Sequence, residues 1–423
     1  MSLLVLAGVL AGIAGSGERI AGKTEPVFAT QSPLPTARSP LPAPGSELTV
    51  TLLTYETGGL LYERFGHNAI WIHDSARGTD RHYDYGRFDF DQKNFVLRFA
   101  QGKMLYSMGE DSLPEKYIRF YASEGRKIRS QELDLTPAQR RELRDFLEWN
   151  IQPGNAQYAY DYYLDNCSTR IRDALDRVLG GAIRRYAEQP SGFTWRDETR
   201  RLDEHNPFLY TGLMLTLGQP VDEEMSRWEQ MFLPIRLSEH LDSVKVAGPD
   251  GVLRPVVKSF QVLAEGGRWP VPARPSNWTW RYLAVGVALG GVLMWLGAQS
   301  SRGGKAIFLG LATLWALLAG IAGLVVTWLS LLSGHRAAHQ NENILLFNLL
   351  ALALAVVLPL AIRRGGPTLK TARRLALVVA ALAALGLLLK LLPAFGQHNL
   401  ELIALALPVH AGLWLGLRSR EPF

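Results

Sequence analysis

The pattern of apolar and polar positions divides this chain into two unlike parts. In residues 48–279, apolar positions alternate with polar ones or recur at helical spacing, which is typical of a globular α+β domain. In residues 280–423, long apolar runs follow one another with short polar breaks, and most approach the ~20 residues that a helix needs to cross a bilayer. The five runs lie at 281–298, 306–332, 344–362, 375–393 and 400–417. The pattern therefore predicts an α+β domain followed by an all-α transmembrane bundle of five helices.

The segment before the domain lacks the pattern of a folded core. Residues 1–17 contain a short apolar run from Leu3 to Ala14, which is typical of a secretory signal or of an uncleaved anchor. Residues 18–47 include the stretch QSPLPTARSPLPAPG, whose proline and serine content indicates a linker. We therefore expect the folded part of the chain to begin near residue 48.

Basic residues between the apolar runs set the predicted orientation. They lie in alternate breaks: Arg302, Lys305, Arg363, Arg364, Lys370, Arg373, Arg374, Arg418 and Arg420. Basic loops stay cytoplasmic, so five spans with a cytoplasmic C-terminus place residue 279 outside, as does a signal-like N-terminus. We expect a multi-pass protein of the cytoplasmic (inner) membrane with an extracytoplasmic domain. The net charge of +6 is modest and lies largely in such loops, which argues against nucleic acid as a partner.

The chain has a single cysteine, Cys167, which excludes an intramolecular disulfide. It precedes apolar residues at the spacing of an amphipathic helix, followed by two glycines: Ile171, Ala174, Leu175, Val178, Leu179, then Gly180 and Gly181. A thiol in the first turn of a helix lies at the positive end of the helix dipole, which favours the thiolate. Cys167 is therefore a candidate nucleophile. The alternative is a small buried hydrophobic side chain, the common fate of a free cysteine.

A cysteine nucleophile needs a base and a group that orients the base. His67 begins an alternating segment that predicts a strand, and residues 81–90 predict a second strand after a short turn. If the two strands form a hairpin, Asp84 falls near the level of His67, whereas a register shift of one residue substitutes Tyr83 or Tyr85. His67 as base and Asp84 as its orienting group are therefore hypotheses, and core or surface roles are the alternatives.

The same predicted hairpin carries two further histidines, His73 and His82. Two histidines on one hairpin can bind a metal ion, but the sequence offers no third ligand at a suitable spacing. We expect structural or surface roles for both, and we predict neither a metal ion nor another cofactor.

Polar residues cluster at the predicted outer ends of the spans. They are His335, His339, Asn341, Asn343, Gln397, His398, Asn399 and Glu401. Polar groups at that depth need a partner or a use. Because the domain lies on the same side, we expect the loop that contains His335, Asn341 and Asn343 to face it and to border a site that is open to lipid. Ordinary loop and headgroup contacts are the alternative.

Several short motifs occur in a fixed order along the chain. In the domain they are Arg64-Phe65-Gly66-His67-Asn68-Ala69, Tyr83-Asp84-Tyr85-Gly86, Phe99-Ala100-Gln101-Gly102 and the stretch from Tyr160 to Cys167 with Thr169-Arg170. In the outer loops they are Gly334-His335, Asn341-Glu342-Asn343 and Gln397-His398-Asn399. These motifs resemble those of the bacterial lipoprotein intramolecular transacylases, the Lnb family, from about residue 48 to the end.

The resemblance implies a circularly permuted papain-like Cys/His domain, similar to lecithin:retinol acyltransferase. It implies an acyltransferase that moves one acyl chain from the diacylglyceryl group of a lipoprotein to the amine of its N-terminal cysteine through a thioester, giving a lyso-form lipoprotein. Cys167 would be the nucleophile, His67 the base and Asp84 the orienting group. Substrate-binding or supporting roles fall to Arg64, Asn68, Tyr85, Asn166, His335, Asn341 and Asn343. The implied partners are diacylglyceryl-modified lipoproteins and membrane lipid.

Two other functions are compatible with the residues. An extracytoplasmic Cys/His peptidase or amidase would use the same nucleophile on cell-wall or protein substrates, and it should tolerate deletion of residues 281–423. A non-enzymatic membrane assembly factor should tolerate Cys167→Ala.

Overall fold

A computed structural model describes residues 43–60, 63–89, 91, 93–248, 250–267, 270–364 and 366–419. The expected signal-like segment and most of the expected linker lie outside these residues. The same holds for Phe90, Trp269 and Arg420, and for the side chains of Arg363 and Arg364.

The domain that precedes the spans is built on an antiparallel sheet of seven strands in the order β11-β5-β1-β2-β3-β4-β6. Strands β7 and β8 pair separately, as do β9 and β10. The strands are β1 Leu48–Tyr55, β2 His67–Asp74, β3 Thr79–Arg87, β4 Leu105–Asp111, β5 Ile128–Leu133, β6 Gln157–Ala159, β7 Pro190–Thr194, β8 Glu224–Ser226, β9 Lys245–Ala247, β10 Leu253–Pro255 and β11 Val257–Ala264. The predicted hairpin is confirmed as β2 and β3, which place the His67 and Asp84 motifs on neighbouring strands at the centre of the sheet.

Short helices surround the sheet. They are α1 Phe95–Ala100, α2 Pro114–Ser123, α3 Pro137–Asn150, α4 Cys167–Val178, α5 Ala182–Ala187, α6 Trp195–Asp203, α7 Pro207–Thr216, α8 Arg227–Gln230 and α9 Pro234–Leu241. Helix α4 packs its apolar stripe, which includes Ile171 and Leu175, against Ile70, Tyr83 and Tyr85 of the sheet. The α+β class is confirmed, and the predicted amphipathic helix starts at Cys167.

Five helical segments in the described residues are long and apolar enough to cross a membrane, which confirms the predicted bundle. They comprise α10 Thr279–Ala298, α11 Arg302–Leu331, α12 Asn343–Leu346 with α13 Leu349–Arg364, α14 Gly366–Leu388 and α15 Leu400–Arg418. The second and fourth helical segments begin several residues before the apolar runs that predicted them, which start at residues 306 and 375. Helix α14 includes Lys370 and Arg373 near its start. Basic residues are tolerated there, since their long side chains can extend from a helix end to the membrane surface.

The first and last spans approach each other closely through small residues. A Cβ atom placed on Gly290 would lie 2.2 Å from the carbonyl oxygen of Pro408, and one placed on Gly412 would lie 2.1 Å from the carbonyl oxygen of Gly290. Only glycine fits at such distances, and close backbone packing of this kind stabilises helix pairs where lipid provides no hydrophobic drive.

The third span is broken between α12 and α13, which the apolar pattern does not reveal. The break fits against Gly323, where a Cβ atom would lie 2.6 Å from the backbone nitrogen of Asn348. His410 of the last span donates from Nε2 to the carbonyl oxygen of Leu346 at 2.9 Å, and its Nδ1 accepts from the Trp315 indole at 3.3 Å. The intramembrane histidine therefore satisfies a carbonyl at the helix break.

The domain and the bundle share one continuous apolar cluster. Tyr210, Met214 and Phe232 from the domain pack in the same cluster as Val326 and Leu346 from the spans. Because this cluster needs both parts, removing the bundle would expose apolar core residues of the domain. Deletion of the spans therefore cannot separate the acyltransferase from the peptidase hypothesis.

Candidate active site

Cys167 is held at the start of α4 by the asparagine that precedes it. The side-chain oxygen of Asn166 accepts from the N–H groups of Ser168 and Thr169 at 2.9 and 3.0 Å, and the hydroxyl of Thr169 accepts from the Asn166 N–H at 2.8 Å. This reciprocal capping fixes the first helical turn. The Asn166 amide also donates to the carbonyl oxygens of Tyr162 and Phe232, which ties the turn to two neighbouring segments. Asn166 therefore positions the half-buried thiol of Cys167.

His67 and Asp84 meet across the central hairpin. Ala69 is the direct partner of Asp84, so His67 lies one diagonal step away on the same face, within the reach of a side-chain contact. The distance from His67 Nε2 to Asp84 Oδ2 is 3.1 Å. Tyr83 and Tyr85, the alternatives left by the sequence, point into the core on the opposite face.

The Cys167 side chain lies close enough to the His67 ring to raise the pKa of the ring, so the three candidate catalytic residues lie together. Burial by itself lowers the pKa of His67. The nearby Cys167 side chain and the hydrogen bond to Asp84 outweigh burial and raise this pKa to about 9. At neutral pH the ring is therefore protonated beside the sulfur.

Arg87 completes the group and was not identified from the sequence. Its guanidinium donates to Asp84 Oδ1 at 2.7 Å from Nε. Burial raises the pKa of Asp84. The hydrogen bond from His67 and the charges of His67 and Arg87 lower this pKa by more than burial raises it, so the net shift is downward. Asp84 is thus a carboxylate between two cationic groups.

A bulge in β3 explains how Arg87 reaches Asp84. In a regular strand, residues three apart point to opposite faces. The register shifts between Tyr85 and Arg87, and Gly86 takes a positive φ of 95° that favours glycine. Opposite Asp84, a Cβ atom on Gly109 would lie 2.3 Å from Arg87 Nε, so the missing side chain there makes room for the guanidinium.

The bulge also borders the nucleophile. A Cβ atom on Gly86 would lie 3.5 Å from the Cβ atom of Cys167. The positive φ and this contact together bring the start of α4 against the strand that carries Asp84 and Arg87.

Aromatic residues of the cysteine motif pack against rings from neighbouring segments. Tyr160 stacks on Tyr106 with 4.0 Å between ring centroids, and Phe88 packs on Tyr106 at 5.3 Å. On another side, Phe65 of the histidine motif packs edge-on against Tyr162 of the cysteine motif at 4.7 Å. Cys167, Tyr106 and Tyr160 pack against the same apolar cluster of the domain, so the surroundings of the thiol include apolar rings.

Arg64 lies beside a buried carboxylate that the sequence analysis did not identify. Arg64 Nε is 3.5 Å from Asp203 Oδ1, and the Asp203 side chain is fully buried. Burial raises the pKa of Asp203 to about 7, against the opposing charge of Arg64. Within the described residues, neither Asp203 oxygen nor the Tyr162 hydroxyl has a hydrogen-bond partner. No local motif marks Asp203, because it reaches Arg64 from the end of a distant helix.

Two other predicted supporting residues lie in the core. The Asn68 amide donates to the Thr54 hydroxyl at 2.8 Å, and the Tyr85 hydroxyl donates to Asn150 at 2.6 Å. Both side chains are buried. These contacts are structural, and a role for either residue in binding substrate stays a prediction.

Asn341 and Asn343 contact the domain, but they bind backbone rather than line an open site. The Asn341 amide donates to the carbonyl oxygens of Leu215 and Thr216, and the Asn343 amide donates to those of Met214 and Leu215. These carbonyls end helix α7, where a helix leaves them without intrahelical partners. A supporting role in catalysis stays a prediction for both asparagines.

His335 and the last outer loop make the remaining contacts. His335 Nε2 donates to the carbonyl oxygen of Phe99 at 2.7 Å. Arg200 of α6 donates to Glu401 at 2.6 Å, and the Gln397 amide donates to the carbonyl oxygen of Leu217 at 2.9 Å. The loop with His335, Asn341 and Asn343 therefore faces the domain, as expected, and so does the last outer loop.

The other two histidines of the hairpin have different surroundings. His73 pairs with Asp80 at 2.9 Å and is partly exposed. His82 is buried, stacks on Tyr117 and contacts the Tyr55 hydroxyl, and burial lowers the pKa of His82 to about 4. The residue pair His73 and Asp80 repeats the pairing of His67 and Asp84 at a partly exposed position.

Two family models match the chain. The Lnb N-terminal periplasmic domain matches residues 43–201, and the Lnb transmembrane domain matches residues 278–420. Searches of curated proteins and of solved structures gave no match. The chain is a multi-pass protein of the inner membrane with its α+β domain on the extracytoplasmic side, and it belongs to the Lnb family.

Proposed function

We propose that this protein is a cysteine acyltransferase that converts diacylglyceryl-modified lipoproteins to the lyso form. The observation that carries the proposal is the position of the His67 ring, which pairs with Asp84 at 3.1 Å and lies close enough to Cys167 for the two side chains to interact electrostatically. A base between a sulfur nucleophile and an orienting carboxylate is the arrangement that covalent acyl transfer needs. Family membership supports a lipoprotein as the substrate.

In the first half-reaction, the Cys167 thiolate attacks the carbonyl carbon of one acyl ester. The bond between that carbon and the glyceryl oxygen breaks, and the His67 imidazolium gives its proton to the departing oxygen. The products are a thioester on Cys167, a free glyceryl hydroxyl and a neutral imidazole. The raised pKa of His67 suits this step because the ring carries the proton before attack.

In the second half-reaction, the neutral amine of the lipoprotein's N-terminal cysteine attacks the thioester carbonyl. His67 takes the proton from the attacking nitrogen, the carbon–sulfur bond breaks, and the thiolate and imidazolium are restored. The lipoprotein gains an amide and keeps one ester. No external donor or acceptor is needed, since both groups belong to one substrate.

The start of α4 is the proposed site for the developing oxyanion. Asn166 accepts from the N–H groups of Ser168 and Thr169, and the Cys167 N–H is the candidate donor to the ester oxygen. A helix-borne cysteine that follows a strand-borne histidine fits the permuted papain-like arrangement, which we propose as the fold relationship of this domain.

The aromatic rings near the cysteine motif support a lipid substrate. Rings such as Tyr106, Tyr160 and Phe65 offer apolar surface for an acyl chain and limit the access of water to a thioester. A peptidase for soluble substrates has no evident need for a domain whose core continues into membrane spans.

The test uses purified protein in detergent with a diacylglyceryl lipopeptide that has a free N-terminal amine. We expect mass spectrometry to show the acyl chain on the peptide amine and, at short times, on Cys167 in a form released by neutral hydroxylamine. Cys167→Ala should show neither product. Cys167→Ser should keep the geometry but react far more slowly, because a hydroxyl is a weaker nucleophile at neutral pH.

A blocked substrate separates the two half-reactions. When the amine is acetylated, the Cys167 thioester should accumulate, because nothing removes it. Turnover of the free-amine lipopeptide by Cys167→Ala at the parental rate would contradict the covalent mechanism. Cleavage of peptides without acyl transfer would favour the peptidase instead.

A further inference from the structure

Helix α1 exposes large apolar side chains. Val96 is 51% exposed, Leu97 49% and Phe99 42%, and none of the six residues of α1 is buried. Three neighbouring apolar side chains in water are unfavourable, and a contiguous exposed patch of this kind marks an interaction surface. The lipoprotein reaction proposed above does not by itself require this patch.

The position of α1 is fixed by contacts with the outer end of α11 and with the loop that follows it. The carbonyl oxygen of Phe99 accepts from His335, that of Gln101 accepts from the Gly334 N–H at 2.9 Å, and that of Ala100 accepts from the Trp328 indole at 3.4 Å. These contacts follow one another along the backbone. Helix α1 is therefore docked on the bundle rather than free in solution.

The end of α11 next to these contacts is itself apolar and exposed. Leu331 is 68% exposed and Leu332 65%, at the end of a helix that is long enough to span the bilayer. By the topology of the bundle this is the outer end, and an indole such as that of Trp328 is typical of the interface between membrane and water. The exposed side of α1 therefore adjoins a surface that faces lipid.

We propose that α1 inserts Val96, Leu97 and Phe99 into the outer leaflet, so that lipid hydrocarbon covers this face. Continuity with the lipid-facing end of α11 selects lipid over a protein partner. The carbonyl groups of Phe99 and Ala100 at the end of α1 already have protein donors, and a short helix at the membrane interface lies with its apolar side chains toward the lipid.

The inserted helix would also set the height of the candidate site. Helix α1 lies in the connection between β3 and β4, and β3 carries Asp84 and Arg87. A segment anchored in the leaflet at this point holds the hairpin close to the membrane surface. This proposal concerns the depth of α1, and it does not depend on the reaction.

The test measures depth with a fluorophore on a single cysteine. In full-length Cys167→Ala protein, Val96→Cys is labelled with bimane and reconstituted in phosphatidylcholine–phosphatidylglycerol vesicles that contain lipids brominated on the acyl chains. Trp149→Cys is the matched control, because Trp149 is an apolar residue of similar exposure, 57%, on helix α3, which packs on β1 and α4.

We expect brominated lipid to quench most of the bimane emission from position 96, and aqueous iodide to quench it weakly. The emission maximum of the label at position 96 should also lie at a shorter wavelength than that of free bimane in water. Position 149 should show the reverse. Equal iodide quenching at both positions, with no effect of brominated lipid at position 96, would overturn the proposal. A label at position 96 that is protected from both iodide and brominated lipid would also overturn the proposal if this protection increases with the protein-to-lipid ratio. A second copy of the protein would then cover the exposed face of α1.

Discussion

Two polar clusters of this protein differ in how their groups are satisfied. The site cluster contains charged residues, Asp84 between His67 and Arg87, and a sulfur next to an imidazolium. The junction cluster of Asn341, Asn343, Gln397 and Asn399 contains neutral amides. Asn341 and Asn343 use both donors and their side-chain oxygens on fixed partners. Polarity at the membrane surface is therefore not a guide to chemistry by itself. Paired neutral amides hold two parts together, whereas opposed charges next to a nucleophile can move a proton.

The first way to test this comparison is to remove the base. We expect His67→Asn to lower acyl transfer by roughly 10²- to 10⁴-fold, the range typical of a lost general acid–base group, with little change in thermal unfolding. The measurement is the rate of amide formation on a lipopeptide. His73→Asn is the control, because His73 forms a similar pair with Asp80 on the same hairpin. Equal losses in both variants would contradict a specific role for His67.

The second change removes only the charge of the orienting group. Asp84→Asn keeps a hydrogen-bond acceptor for His67 but removes the charge between His67 and Arg87. We expect a loss on the order of tenfold to a hundredfold, as for groups that orient a histidine in a metal site. The pH dependence of the rate should also move to lower pH, because the carboxylate helps to raise the pKa of His67. Asp80→Asn should change neither the rate nor its pH dependence.

The third change tests the junction cluster. Asn343→Ala leaves the carbonyl oxygen of Met214 without its donor, and we expect a loss of stability of about 1–3 kcal/mol, typical of an unsatisfied buried group. Thermal unfolding in detergent measures it, and the rate per folded molecule should stay near the parental value. Asn155→Ala is the control, since Asn155 also donates to a carbonyl at a helix end but at an exposed site. A lost rate with normal stability would assign Asn343 to the reaction.

The smallest expected effect concerns pH. The pKa of His67 is raised from 6.5 to about 9 in the folded protein, so its contribution to stability is fully present below pH 6.5 and is lost as pH rises through about 9. In Cys167→Ala the main cause of this increase is absent. The difference in melting temperature between pH 6.5 and pH 9 should therefore be smaller in Cys167→Ala than in the parent, and an equal difference would contradict the coupling.

Much of this arrangement could be predicted from local sequence. The spacing after Cys167 identified the start of α4, because helix periodicity and capping act within a few residues. The apolar runs identified the five spans for the same reason. The strand pattern of the His67 motif identified the hairpin, but it left three candidates for the orienting residue, since register depends on pairing that a single strand does not encode.

Other features depend on contacts that no local pattern contains. Arg87 reaches Asp84 only because β3 bulges at Gly86, and strand alternation would place it on the opposite face. Asp203 comes from the end of α6. The break in the third span is satisfied by His410 from the last span. The polar outer loops were expected to border a lipid site, but the partners of Asn341 and Asn343 are carbonyls of α7, which lies more than a hundred residues earlier in the chain.

The shared cluster between domain and bundle has a mechanical consequence. A domain joined to the membrane by a linker alone can tilt and swing, so its reactive group samples many heights above the lipid. Here the outer loops hold the domain at separate places, at the end of α7, at Arg200 and at Phe99. Attachment at several places prevents the domain from tilting and swinging as a domain on a single linker does. The distance between Cys167 and the bilayer is then a fixed property of the fold, and lipoproteins must present their lipid at that height.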